Sequence, residues 1–156
     1  DRGWSPESAG VLVMAAQVLG AFGRIAAGRW SDWMRARLRP IRMIAVAAGL
    51  SMLVLAITDA VHSPLSIAVM VAASVITVSD NGLAFTAIAE IAGPFWSGRA
   101  LGTQNTSQLL TAGLTPPLFG ALIGVLGYPV AFAVCALFPV AALPLVPADP
   151  PARAEA

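Results

Sequence analysis

The side chains best placed for chemistry in this sequence are one carboxylate and several amides set inside apolar runs. Asp80 and Asn81 lie near the middle of residues 65–92, a stretch built largely from aliphatic, small and hydroxyl side chains. An ionisable group at mid-depth of a hydrocarbon layer is expensive unless it is paired or hydrated, which makes function the first hypothesis for it. A carboxylate held there can bind a proton or the cationic group of a substrate. Its plain structural use is a hydrogen bond to a neighbouring helix. Gln17 stands in an earlier apolar run, and Gln104, Asn105 and Gln108 in a later one. Gln104 and Gln108 are one helical turn apart and share a face. With Asp80 they can line an aqueous cavity, or they can tie one helix to the next.

The elements that must position these groups follow from composition. The chain is 58% hydrophobic and 11% charged, with a mean hydropathy of +0.80, whereas an ordinary soluble domain is roughly 25% charged. Too few polar residues exist to build a hydrated shell, so lipid must supply most of the surface contact. A membrane-spanning helix needs about 20 predominantly apolar residues. Such runs recur at about 9–30, 41–60, 65–92, 100–125 and 130–146. The fold class expected is therefore all-α, a polytopic transmembrane bundle of about five spans.

The breaks between the runs carry turn chemistry. Ser5 and Pro6 suit a cap and first turn, Gly93-Pro94 and Gly127-Tyr128-Pro129 suit turns, and so does the segment holding Asp59, His62, Ser63 and Pro64. Pro116 and Pro117 predict a kink in the fourth run. Residues 148–156 are expected to form a disordered cytoplasmic tail. Small residues at helical spacing in the first run, Ala16, Gly20 and Gly28 with Gly23 beside them, allow close helix approach, and Gly98 with Gly102 and Gly120 with Gly124 repeat the spacing. Trp4, Trp30, Trp33 and Trp96 fall at predicted span ends, as an interfacial belt would place them.

All nine basic residues are arginines. Arg24, Arg29, Arg35, Arg37, Arg39 and Arg42 flank the first loop, Arg99 sits in the third and Arg153 in the tail, while the opposite side has only Arg2. Positively charged short loops stay cytoplasmic, so the N-terminus is expected outside and the C-terminus in the cytoplasm, in a bacterial inner (plasma) membrane. Glu90 and Arg99 flank the third loop and are expected to pair with each other or with Asp32 and Arg24.

Several chemistries lack their residues. Cys135 is the single cysteine, and His62 the single histidine, so neither an internal disulfide nor a metal site can be argued. There is no phosphate-binding loop, nucleophile elbow or HExxH helix, so no enzyme, no cofactor and no nucleic-acid partner is expected. No secretory signal is visible at Asp1, and the chain reads as a fragment whose beginning lies upstream.

The loop Gly28-Arg29-Trp30-Ser31-Asp32-Trp33-Met34-Arg35-Ala36-Arg37 resembles the major facilitator loop motif GxxxD[RK]xG[RK][RK]. Gly28, Asp32 and Arg37 match, while Trp33, Arg35 and Ala36 depart from it. The later stretches Ala89-Glu90-Ile91-Ala92-Gly93-Pro94, Gly98-Arg99-Ala100-Leu101-Gly102 and Pro116-Pro117-Leu118-Phe119-Gly120 are similar to the family's helix ten to eleven region. The resemblance implies that the five spans are helices eight to twelve of a major-facilitator C-terminal half. It further implies alternating access driven by an ion gradient, with a missing N-terminal half as partner and a small-molecule substrate, with protons as a further partner, in a cavity between the halves. Gln17, Asp80, Gln104 and Gln108 then lie on cavity-lining helices. Gly28, Asp32, Arg35, Arg37, Glu90 and Arg99 become gating candidates. Within transport, proton-coupled drug efflux is the alternative. From another class, the alternative is a five-helix membrane scaffold with no transport cycle.

Overall fold

A computed structural model describes residues 5–149. In order these form α1 (Pro6–Met34), α2 (Leu38–Ala60), α3 (Leu65–Ser79), α4 (Asn81–Ala92) and α5 (Ser97–Ala142), followed by a single 3-10 turn, Leu143–Leu145. No strand occurs among the described residues. The helices start and stop where local chemistry says they should. Ser5 accepts the Ser8 N–H at 3.3 Å, and Pro6 takes the first helical position. At the other end of α1, Arg35 turns left-handed at φ 50° and ψ 34°. The Arg35 N–H then reaches the Asp32 carbonyl at 3.1 Å and the Ala36 N–H the Ser31 carbonyl at 3.3 Å, the paired bonds of a Schellman motif.

The same device closes α2. His62 has φ 52° and donates to the Asp59 carbonyl at 3.0 Å, while Ser63 donates to Thr58 at 2.9 Å. Pro64 follows, and α3 begins at once.

Four helical stretches are long and apolar enough to cross a membrane: Pro6–Met34, Leu38–Ala60, Leu65–Ala92 and Ser97–Leu145. The third contains the α3–α4 junction at Asp80. The fourth is too long for one crossing. The 46 residues of α5 would extend roughly 69 Å if straight, about twice a hydrocarbon core of about 30 Å. It is not straight, because Gly127 sits at φ 81° and ψ 169°, outside helical geometry. The rings of Phe119 and Phe138 lie 6.2 Å apart, where a straight helix would separate those residues by roughly 28 Å. The chain therefore reverses at Gly127 into two legs, 97–126 and 128–142. The first leg runs on through Pro116 and Pro117 without leaving helical backbone angles.

The core is thin. Ala27, Ile44 and Leu83 form its centre, with Trp30, Ile41 and Ile76 packed against it. Trp30, expected in an interfacial belt, turns inward because it shares a face of α1 with Ala27. Trp33 stays exposed, Trp96 carries Arg99 over its ring at 4.8 Å, and Trp4 lies outside the described residues. Only part of the small-residue stripe is used. A Cβ on Gly20 would come within 2.9 Å of Val78 Cγ2, and one on Gly23 within 2.7 Å of Ser79 Oγ and 2.9 Å of Val75 Cγ1, so α1 meets α3 at backbone distance there. Gly28, Gly98, Gly102, Gly120 and Gly124 meet nothing within 4 Å. Across the bundle, Gly49 of α2 fits against Val140 and the Ala136 carbonyl of the second leg of α5.

Gly23→Val should therefore wedge α1 from α3 and lower stability by about 1–3 kcal/mol, while Gly28→Val should be near neutral. Thermal unfolding of the two variants in detergent checks this, and equal midpoints would show that the close approach has no energetic role.

Candidate functional site

Two regions collect the polar groups: one end of the bundle, rich in charged side chains, and the middle, where amides and hydroxyls surround the single carboxylate of Asp80. At the charged end, the last turn of α1, the start of α2, the end of α4 and the residues after α5 converge on Arg37. Its Nη1 bonds Asp32 Oδ1 at 2.5 Å and Ser31 Oγ at 3.2 Å, and its Nε bonds Glu90 Oε1 at 3.2 Å. Asp32 above all, with Glu90, holds the Arg37 guanidinium more firmly protonated than usual, against the pull of partial burial. Both carboxylates are more than half exposed, so each pair alone contributes little. Their value is geometric, since one guanidinium ties three helices together. Glu90 was expected to pair with Arg99 or Arg24, and Arg99 with Glu90 or Asp32. Glu90 faces Arg37 instead, because Arg99 is drawn onto Trp96 and Arg24 donates from Nε to the Val78 carbonyl at 3.3 Å.

The start of α2 has no cap of its own, since Arg37 offers its N–H groups no acceptor. Asp149 supplies one from beyond the last span. Its Oδ1 accepts the N–H groups of Arg37 at 2.9 Å and Leu38 at 2.8 Å, and its Oδ2 accepts that of Arg39 at 2.9 Å. The next residue is Pro40, which has no N–H to satisfy, so the opening turn is closed completely. A carboxylate at a helix N-terminus also meets the positive end of the dipole. Partial burial pushes the Asp149 carboxyl upward, but the three amides and Arg42 outweigh it and hold the group below the usual aspartate range. Arg42 fastens the same segment by donating to the Val146 carbonyl. These contacts bring Val146 back to the end of the bundle where α5 began, as a reversal at Gly127 requires.

In the middle of the bundle, Asp80 is the residue between α3 and α4, and its carboxylate makes no ion pair among the described residues. Asn81, the next residue, accepts at Oδ1 a hydrogen bond from Gln108 Nε2 of α5 at 2.8 Å. Asn81, Gln104 and Gln108 line one open groove of about 620 Å³ together with Asn105, Ser107, Thr111 and Thr115. That volume is in the range of small-molecule sites. Gln104 Oε1 is buried in it without a partner. Gln17 lies elsewhere, in a groove of about 290 Å³ between α1 and α3 that it shares with Ser74 and Thr77. The candidate amides thus divide between two grooves. The hydroxyls of Thr111 and Thr115 were missed by reading amides alone. Their signal is the spacing 104, 108, 111, 115, which is one helix face.

A bundle of apolar helices with a charged end and an uncharged polar groove at mid-depth defines a polytopic integral membrane protein. The sequence profile of the Major Facilitator Superfamily matches residues 1–156, and the chain belongs to that superfamily. It is 57% identical over 146 residues, 94% of its length, to an uncharacterized MFS-type transporter of Mycobacterium tuberculosis strain H37Rv. A counterpart from strain CDC 1551 is 56% identical over the same length. The chain spans about a third of the length of these relatives, 33% of each. No solved structure matches it.

The motif match gains a physical reading from Arg35. It occupies the position where the loop motif has its second glycine, and it is left-handed there, the conformation glycine adopts without strain. Arg35→Gly should stabilise the protein by about 1 kcal/mol, and Asp149→Ala should destabilise it by about 1 kcal/mol. Because the folded Asp149 is the more acidic state, its contribution is complete above the ordinary aspartate range and disappears as pH falls through the lowered folded value. Thermal unfolding against pH checks both substitutions: a wild-type advantage over Asp149→Ala that persisted at strongly acid pH would rule out the carboxylate as the cap.

Proposed function

We propose that this chain is the C-terminal part of a secondary active transporter, helices eight to twelve, which moves a small molecule by alternating access driven by an ion gradient. The observation that carries this reading is the uncharged groove between α4 and α5 beside Asp80, the acidic residue at mid-span, in a chain of a transporter superfamily. Asp80, next to Asn81 but not in the groove wall, is the proton contact. Asn81, Gln104 and Gln108 present the substrate-facing surface, and Gln17 lines the neighbouring face of α1. The upstream half of the transporter completes the cavity over the first leg of α5, most of whose residues are exposed and none buried. The Asp32–Arg37–Glu90 cluster holds the cytoplasmic ends of α1, α2 and α4 together as one gating unit.

The arginine distribution supports a cytoplasmic location for this charged end, with the turn at Ser63 outside. In a Cys135→Ser background, Ser63→Cys should be labelled by an impermeant maleimide added to intact cells. Labelling that required permeabilised cells would reverse the orientation.

Asp80→Asn tests the coupling. The protein as its gene encodes it, reconstituted in proteoliposomes, should lose at least about tenfold, equivalent to about 1.4 kcal/mol, of the uptake driven by an imposed pH gradient. Counterflow of the same solute, which needs no net proton movement, should survive. Gradient-driven uptake equal to that of the wild type would remove Asp80 from the proton role.

A further inference from the structure

The groove between α4 and α5 carries information about what it binds, because its hydrogen-bonding groups can be counted. None of the residues lining it is charged. Gln104, Gln108, Thr111 and Thr115 form one stripe along the first leg of α5, and Asn81 faces it from α4. The hydroxyl hydrogens of the stripe are already used. Thr111 donates to the Ser107 carbonyl at 2.9 Å and Thr115 to the Thr111 carbonyl at 2.7 Å, which leaves their oxygens free to accept. Gln108 and Asn81 spend one donor and one acceptor on each other. Gln104 adds a buried amide oxygen with no partner. The amide nitrogens of Gln104, Gln108 and Asn81 still carry N–H donors, so the stripe offers donors and acceptors together, and the complementary molecule is one whose groups do both, as hydroxyls can.

Charge complementarity narrows the class further. On this wall an anion would find no counter-charge, since Arg24 is turned to the Val78 carbonyl and Arg99 to Trp96. A cation would also lack a partner on the groove wall, because Asp80 is not among the residues lining it. Burying an unpaired charge is far more costly than burying a hydroxyl that finds an acceptor. We infer that the substrate is an uncharged, polyhydroxylated small molecule, bound across the Gln104–Gln108–Thr111–Thr115 stripe with Asn81. This rests on the reading of the groove as the substrate-facing surface.

The protein as its gene encodes it, purified in detergent, should be screened by thermal shift at matched ionic strength. Three sets of probes are used: mannitol, myo-inositol and maltose; tetraphenylphosphonium and ethidium; benzoate and succinate. Members of the uncharged set should raise the unfolding midpoint, and Gln104→Leu and Gln108→Leu should each weaken the apparent affinity about tenfold. A shift given only by charged probes, yet weakened by the same substitutions, would overturn the substrate class and leave the groove as the site. Binding of an uncharged probe that neither substitution weakens would overturn the groove itself. Absence of any shift with the uncharged set would overturn the class whether or not the variants fold.

Discussion

The constraint on which the rest of this structure depends is that a backbone amide or carbonyl facing hydrocarbon has no water to bond. Continuous helix satisfies every such group inside a span, and that leaves the helix ends as the places where bonds must be found. Arg35 and His62 solve this at the ends of α1 and α2 by entering the left-handed region, at φ 50° and φ 52°, so that the last carbonyls receive donors from the following residues. Neither is a glycine. Both conformations carry strain that the two bonds of each Schellman motif offset. The start of α2 is the harder case, because its loop provides no local acceptor. A residue 112 positions away from Arg37 fills the gap, and the segment after the last span is fixed to the first loop as a result.

Much of this was legible in the sequence, and the reason is the solvent. A chain that must place apolar residues on its outside shows its spans as runs. The turns between them are short enough for Gly, Pro and Ser to mark. The reversal at Gly127-Tyr128-Pro129 could be read locally for this reason, although the helical legs on either side are separated by a single non-helical residue. What sequence could not supply was the choice among equivalent partners. Gly20, Gly23 and Gly28 look alike along α1, but only the first two face α3. Glu90 had two plausible cationic neighbours, Arg99 and Arg24, and took a third, Arg37, because that choice depends on the rotation of α2 against α4. Asp149 was hidden more completely. It stood in a Pro- and Ala-rich stretch with every mark of a loose tail, and its role appears only once the second leg of α5 has returned it to the start of α2.

The candidate site shows the same division. The amides stood out because they interrupt apolar runs, and their unusual type was enough to find them. The threonines at 111 and 115 did not stand out, since a hydroxyl in a membrane helix commonly returns its hydrogen to the carbonyl one turn back, as both do here. That local bond hides them in composition and also decides what they can offer. A hydroxyl whose hydrogen is bound remains an acceptor, so the local structure of the helix fixes the polarity of the surface it presents.

Charge is then distributed with depth in a way that lipid enforces. The arginines of the loops gather at one end of the bundle, and the polar lining of the groove between α4 and α5 is amides and hydroxyls, with Leu109 and Ala112 between them. Asp80 is the exception. It stands where α3 gives way to α4, a point at which the helical hydrogen-bond pattern is already interrupted. A carboxylate there adds to an existing local irregularity and does not disrupt an intact helix. The junction also makes Asp80 and Asn81 neighbours in sequence with different tasks: Asn81 is bonded to Gln108 across the groove, whereas Asp80 is left without an ion pair among the described residues. A group meant only to join helices would be expected to hold a partner, as Asn81 does. The contrast between the two adjacent side chains is what supports placing the proposed proton on the carboxylate and not on the amide beside it.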